Sequence, residues 1–296
     1  MIETKKITDI KSRASSMWVL LATIIGSGMA IIDSTAVNVA LPALTRDLGA
    51  TEIEFLWIID SYALFLSALI LVGGVLGDMF GRRRIFMLGV ILFGSTSICC
   101  GLAGSPLQLI IFRCLQGVGA ALLVPGSLAI ISAFFPESER GKAIGWWSTF
   151  SALMVAIGPV LGGWFVDIAT WRLVFLINVP LSLAVLWISF FHVPESFGAS
   201  SKARIDWLGA LLAVFGLGAL VYGIILGGKI GFDNVSSSGM VILGITALLA
   251  FLVTESKVSY PMMPLSLFRS NNFTGANLLT ILLYAPLGGG ILFLPI

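Results

Sequence analysis

The sequence predicts an all-α polytopic membrane protein, and three observations carry that prediction. Of 296 residues, 58% are apolar and 11% charged, against about 45–50% and 25% in soluble domains, and mean hydropathy is +1.04. Apolar runs of about 20 residues, the length a helix needs to cross the hydrocarbon core, recur from end to end. Lys and Arg gather on alternate connecting segments. A soluble fold would need a core of implausible size, and a net charge of +2 gives no support to nucleic-acid binding.

Residues 1–16 form a polar, basic tail. The apolar stretch behind it is too long for a signal-peptide core of roughly 7–15 residues and reads as an uncleaved first span. Apolar runs bounded by charge, Gly or Pro place helices near 17–41, 55–77, 85–104, 107–133, 143–167, 172–192, 206–227 and 237–254, and a ninth begins near 273 and is still apolar at Ile296. With the N-terminus cytoplasmic, the inner segments hold Lys5, Lys6, Lys11, Arg13, Arg82, Arg83, Arg84, Arg140, Lys142, Lys202, Arg204, Lys257 and Arg269, and the outer ones Arg46, Arg172 and Lys229. That asymmetry supports both the span boundaries and the orientation.

Three ionisable residues fall at membrane depth: Asp33, Asp60 and Arg113. A charge near the bilayer centre costs roughly 2.5–3.5 kcal/mol even on permissive scales, so each needs a partner or a task. At 1.5 Å rise per residue, Asp33 lies roughly 12 Å, Asp60 about 8 Å and Arg113 about 9 Å below the outer ends of their helices. The shared layer predicts a polar cavity in which Arg113 stabilises one or both carboxylates; the alternative is a static buried ion pair that fixes helix packing. In the first span Ser34, Thr35 and Asn38 extend a polar stripe from Asp33. Burial favours the neutral form of a carboxyl and a neighbouring guanidinium the charged form, so a conformational change that alters either makes such a site a proton carrier. Cys99, Cys100, Cys114 and His192 lack a second ligand at metal spacing and read as structural residues; no metal or cofactor is expected.

Between the second and third spans the sequence runs GGVLGDMFGRRRIF. Gly81 suits a positive-φ turn, and Arg82 to Arg84 hold the loop at the cytoplasmic face. Gly74, Asp78, Gly81, Arg82 and Arg83 match motif A of the major facilitator superfamily. RCLQGVGAALLVPG, with Arg113, Gln116 and Gly117, resembles motif B; PESERGKA resembles the P-x-x-x-R-G loop; and Gly158, Pro159, Gly162 and Gly163 in GPVLGG resemble the antiporter motif C. DSTAVNVALP, WRLVFLINVP and DWLGALL narrow the likeness to the fourteen-helix drug:proton antiporters of the EmrB/QacA type. One departure is Met154, where a glycine is usual, which bears on close packing of the fifth helix. Gly73 with Gly77 and Gly158 with Gly162 have the spacing for close helix contact. Trp57, Trp146, Trp147 and Trp171 fall near helix ends, as residues of an interfacial belt do.

The resemblance implies a six-helix N-terminal bundle over 17–192, a cytoplasmic linker at 193–205, two extra helices over 206–254, a cytoplasmic loop at 255–272 and the first helix of a second bundle at 273–296, the chain then being an N-terminal fragment. It implies proton-coupled export of lipophilic, often cationic compounds across the cytoplasmic membrane, with protons, a small-molecule substrate and the bilayer as partners. It leaves a periplasmic adaptor undetermined. Asp33 is expected to bind the proton or cation with Arg113 tuning it, Gln116, Asn38 and Asp60 to contribute to the site, and Asp78 with Arg82 to gate the cytoplasmic side. Alternatives are a dedicated exporter of a metabolite such as an amino acid or siderophore, a transport-inactive interaction subunit, and a membrane-embedded enzyme; the last lacks a catalytic cluster among the intramembrane polar residues.

Overall fold

The computed structural model describes residues 2–198, 206–258, 261, 263, 265–280 and 282, with side chains from Ser16 onward. Its helices are α1 (Ile2–Leu48), α2 (Glu52–Phe80), α3 (Arg82–Gly101), α4 (Pro106–Phe134), α5 (Glu137–Ile168), α6 (Arg172–Leu176), α7 (Asn178–His192), α8 (Trp207–Ile230) and α9 (Val235–Lys257), followed by a 3-10 turn at Leu265–Arg269. Residues 271–280 are again helical, at the start of the expected ninth span, whose remainder from 283 lies outside the described residues. Among the described residues there is no strand, and eight segments are long and apolar enough to cross a membrane.

The eight spans predicted between 17 and 254 are each present, with corrections to their ends and one internal break. The first helix starts at Ile2 rather than 17, so the basic tail is a helical extension of the span. The sixth span is two helices, broken at Ile177. Pro180 has no N–H to offer the Leu176 carbonyl, so the helical ladder is interrupted there.

The ends follow from local chemistry. Thr51 caps α2 in a capping box with Glu54, each satisfying a backbone N–H of the other. Ser105 caps α4 ahead of Pro106, and the Asp206 carboxylate accepts from the Gly209 N–H at the start of α8. Gly81 separates α2 from α3 at φ +106°, where a side chain would be strained.

α4 is packed between α2 and α3, and α1 between α5 and α7; α1 and α4 touch each other at the centre. α8 and α9 pack mainly on one another and reach the bundle through α2. The seams are as tight as backbone allows. A methyl at Gly73 would lie 1.9 Å from the Ala121 carbonyl oxygen, and one at Gly117 2.6 Å from that of Tyr62. Gly77, the other half of the predicted pair, meets only Arg82 of the following turn at 3.8 Å.

On the α1–α5 seam, a methyl at Gly158 would meet Thr35 Oγ1 at 1.8 Å and one at Gly162 the Ala36 carbonyl oxygen at 2.6 Å. One turn earlier Met154 takes the place of a glycine, and the opposite wall supplies the space: Gly28 of α1 faces it, with Met154 Cγ 3.3 Å from where a Cβ would stand. The small residue has changed sides and the helices remain in contact.

The buried apolar side chains form one large cluster around Val19, Met29, Phe86, Phe93, Leu123 and Val185, another around Ile32, Leu44, Ile58, Leu109, Phe165 and Phe175, and a small third of Val72, Ala210, Ala213 and Phe251 where α8 and α9 meet α2. The polar site lies where the two large clusters meet.

Candidate functional site: a buried ion pair between the apolar clusters

Asp33 of α1 and Arg113 of α4 are 0% and 1% exposed. Arg113 Nη1 donates to Asp33 Oδ2 and, at 2.8 Å, to Gln116 Oε1 one turn along its own helix, while Arg113 Nε donates to the Ile58 carbonyl of α2 at 3.2 Å. The other carboxylate oxygen, Asp33 Oδ1, accepts from Gln116 Nε2 at 2.9 Å and from Asn178 Nδ2 at 3.0 Å. The same two amide nitrogens donate to Ser97 Oγ of α3, at 2.8 and 2.9 Å. The Arg113 guanidinium lies 4.2 Å above the centre of the Tyr62 ring, and Cys100 Sγ donates to Gln116 Oε1 at 3.7 Å.

Five helices therefore converge on one carboxylate. Three charge-assisted hydrogen bonds, one of them from the facing guanidinium and two from side-chain amides, offset the desolvation that an isolated carboxylate would suffer at this depth. The α6–α7 break sets the register of the last contributor, since Asn178 is the first residue of α7.

The structure corrects the expected cavity. The pair is enclosed by the N-terminal helices, not exposed in a shared polar cleft. Surface cavities of about 360 Å³ beside Thr45, Ala50 and Phe55 and about 180 Å³ beside Phe134 and Glu195 lie elsewhere. Gln116 belongs to the cluster. Asp60, half-buried on α2, has no hydrogen-bond or ion-pair partner among the described residues, so Arg113 serves one carboxylate and not two. Asn38 is exposed, five residues beyond Asp33 and hence on another side of α1. Ser34 and Thr35 turn their hydroxyls back to the Ile31 carbonyl. Sequence reasoning missed Asn178 and Ser97 as site residues. The depth count that placed Arg113 about 9 Å from its helix end puts Asn178 at about 9 Å and Ser97 at about 10 Å, and that signal could have found them.

A second polar assembly surrounds the α2–α3 turn. Arg82 Nε and Nη2 both reach Asp78 Oδ1 at 2.8 Å, closing an i, i+4 pair across Gly81. The segment after α7 is clasped onto this turn. The Arg82 N–H donates to the Ser196 carbonyl at 2.8 Å, and the Gly198 N–H to that of Asp78 at 3.0 Å. The Arg83 N–H donates to Glu195 Oε1 at 2.9 Å, and the guanidiniums of Arg83 and Arg84 stand 3.8 and 3.6 Å from Glu195 Oε2. The φ at Gly81 requires glycine, and a methyl there would also meet the Glu195 carboxyl carbon at 2.7 Å and push that carboxylate aside. Gly74 is in ordinary contact with Pro125, 4.0 Å away.

At the opposite end, Trp171 Nε1 donates to Asp47 Oδ2 at 2.9 Å, and Arg172 joins Asp47 to the Gly101 and Ala103 carbonyls that close α3. Trp171 is thus buried, and Trp147 donates inward to Ser27 at 2.8 Å; neither belongs to a lipid-facing belt. Trp146 is 50% exposed, as a belt residue would be, and Trp57 stacks near Tyr222 of α8.

Among the described residues, an all-helical bundle of eight candidate spans with a fully buried Asp–Arg pair at its centre and an Asp–Arg clasp at one turn has the construction of a polytopic membrane protein. Residues 23–294 match the family model of the Major Facilitator Superfamily, and the chain belongs to that family of transporters. It is 39% identical over 255 residues to the multidrug resistance protein Stp of Mycobacterium tuberculosis, covering 86% of this chain and 47% of that protein. It is 34% identical over 274 residues to the tetracenomycin C resistance and export protein of Streptomyces glaucescens, covering 93% of this chain and 51% of that one. The chain thus spans about half the length of these curated relatives. Among solved structures, the peptide transporter POT in complex with sulfate superposes with a TM-score of 0.60 at 18% identity, over 82% of this chain and 53% of that one. The proton:xylose symporter XylE superposes with a TM-score of 0.54 at 15% identity, over 83% and 55%. At these identities the structural likeness concerns the fold alone.

Proposed function

We propose that these residues belong to a proton-coupled multidrug efflux antiporter of the fourteen-helix EmrB/QacA type, which takes up a proton from outside and exports lipophilic, often cationic compounds. In this reading the N-terminus is cytoplasmic, by the distribution of Lys and Arg. Residues 17–192 are the N-terminal bundle, 206–254 the extra pair, and the helix beginning near 273 opens a second bundle that continues beyond Ile296. The observation that carries the coupling is the Asp33 carboxylate, held at membrane depth by donors from α4 and α7. Such a group changes its proton occupancy when helix movement alters its donors or its access to water. Arg113 and Gln116 regulate that occupancy. Asp60 and Asn38 lie outside the cluster, half-buried and exposed, and in this reading are left to contact substrate. Asp78, Arg82, Arg83 and Glu195 hold the cytoplasmic turn closed, while Gly158, Pro159, Gly162 and Gly163 provide the α1–α5 seam along which the helices shift.

The names of the relatives support both broad and narrow specificity. One is a multidrug resistance protein; another is named for methylenomycin A, a single compound. A dedicated exporter of one metabolite is the second reading. The test is efflux of ethidium, a lipophilic cation, from cells producing the whole transporter, with and without a protonophore. The proposal expects efflux to stop when the gradient collapses and in Asp33→Asn; efflux unchanged by both would sink it. Efflux of one antibiotic alone, with ethidium retained, would select the dedicated exporter.

A further inference from the structure

The hydrogen bonds around Asp33 are not symmetrical in what they leave unused. Gln116 is fully engaged: its nitrogen serves Asp33 and Ser97, and its oxygen accepts from Arg113 and Cys100. Asn178 gives its nitrogen to the same two acceptors, but its oxygen is buried with no hydrogen-bond partner. An idle amide oxygen inside a protein is unusual, since leaving a buried acceptor unmade costs more than the bond itself is worth. Next to an ionised carboxylate there is no alternative, because turning the amide over would set its oxygen against Asp33 Oδ1.

We infer that Asn178 is the positioning residue that follows proton uptake by Asp33, its side-chain amide turning over when Asp33 Oδ1 becomes O–H. The inference rests on Asp33 being the proton site proposed above. Oδ2 is occupied by the Arg113 guanidinium, so the incoming proton bonds to Oδ1. That oxygen then carries a hydrogen pointing at two N–H donors. Gln116 cannot present its oxygen without abandoning Arg113. Asn178 can, because nothing holds its oxygen where it is. After the turn, Asn178 Oδ1 accepts from the Asp33 O–H, and its nitrogen is released from both acceptors. Only the O–H bond forms, and the proton comes from the aqueous phase. The charged or titratable groups facing the site are Arg113 from α4, Tyr62 from α2 and Cys100 from α3; α7 contributes Asn178, which carries no charge. As the first residue of α7, directly after the break at Ile177, Asn178 is the point at which the carboxyl's state reaches the helix that leads into the Glu195 clasp.

The test is a pH-difference infrared spectrum of the whole transporter in lipid, recorded with natural asparagine and with asparagine carrying 13C at the side-chain amide carbon, Cγ. The expected result is a carboxyl C=O band that is lost in Asp33→Asn, accompanied by a side-chain amide band that moves to lower frequency on asparagine labelling and is lost in Asn178→Leu. An amide band that ignores the label, or persists in Asn178→Leu, overturns the inference and leaves Asp33 as the proton site. A carboxyl band that persists in Asp33→Asn overturns the proton-site reading itself. A purely structural Asn178 would lower thermal stability in Asn178→Leu without a labelled amide band in the unsubstituted protein. Should that variant fail to fold, Asn178→Gln takes its place: its side-chain amide escapes asparagine labelling, so the label shift must vanish, and a shift that remains belongs to Asn38, Asn234, Asn271, Asn272, Asn277 or an asparagine beyond Ile296 and overturns the inference.

Discussion

The Asp33–Arg113 cluster and the Glu195 clasp use the same chemistry, a carboxylate between guanidiniums and N–H donors, in opposite surroundings. At the first, both partners are essentially unexposed; at the second, Arg84 is 71% and Arg83 28% exposed. Buried, the pair cannot be broken without stranding a charge in the dry interior, so it holds its geometry whatever the salt concentration. At the surface, water and ions replace either partner at small cost. The interior pair is suited to changing state only by moving a proton, and the surface clasp to opening and closing as it stands.

The sharpest way to break this contrast is Arg113→Leu. With Asp33 left charged and unpaired, a destabilisation of about 3–5 kcal/mol is expected, read as a large fall in the melting temperature of detergent-solubilised protein. The double variant Asp33→Asn with Arg113→Leu should recover part of it. A melting temperature equal to that of the parent would mean that the pair does not hold the bundle together.

The seam beside the cluster comes next. Gly162→Leu forces a branched side chain onto the Ala36 backbone and should cost about 1–3 kcal/mol, while Gly141→Ala, which faces open space, should be neutral in the same melting assay. Equal effects at the two positions would show that α1 and α5 separate freely.

Glu195→Gln should lower stability by about 0.5–1 kcal/mol, and the difference should shrink as salt is raised. A salt-independent loss would move the clasp into the class of the buried pair. Smallest is Asp60→Asn, expected to stay within about 0.5 kcal/mol of the parent since no partner is lost; a loss comparable to Arg113→Leu would reveal a contact that Asp60 does not make in this state.

How much of this could be read from the chain depends on distance along it. Length and apolarity locate a span without knowledge of its neighbours, so the eight spans were legible, while their ends shifted and the break at Ile177 inside the sixth was not foreseen. The Asp33–Arg113 pairing was legible too, because two charges at one depth have few other partners. Asn178 and Ser97 share that depth, but uncharged polar residues are tolerated in membrane helices and attract no attention by cost alone. The enclosure of the site was illegible, since whether a helix face meets a partner helix or an opening is settled by packing angles and not by periodicity. The Glu195 clasp joins residues 112 positions apart through a loop, and no spacing rule links them. Met154 shows the converse, for the missing glycine predicted a weaker contact and the compensating one stood on another helix.

The attachment of α8 and α9 has a consequence for how the molecule could be altered. The pair closes its own small-residue seam, with Gly216, Gly223 and Gly244 against the facing backbone, and among the described residues leans on the bundle mainly through α2. The hydrogen bonds of the central cluster come from α1, α2, α3, α4 and α7, and none from this pair. It resembles a lean-to built against a finished wall: a hairpin that an ancestral gene could gain or lose in one step, and that an engineer could excise or replace with a fluorescent or affinity module, without disturbing the carboxylate at the centre of the house.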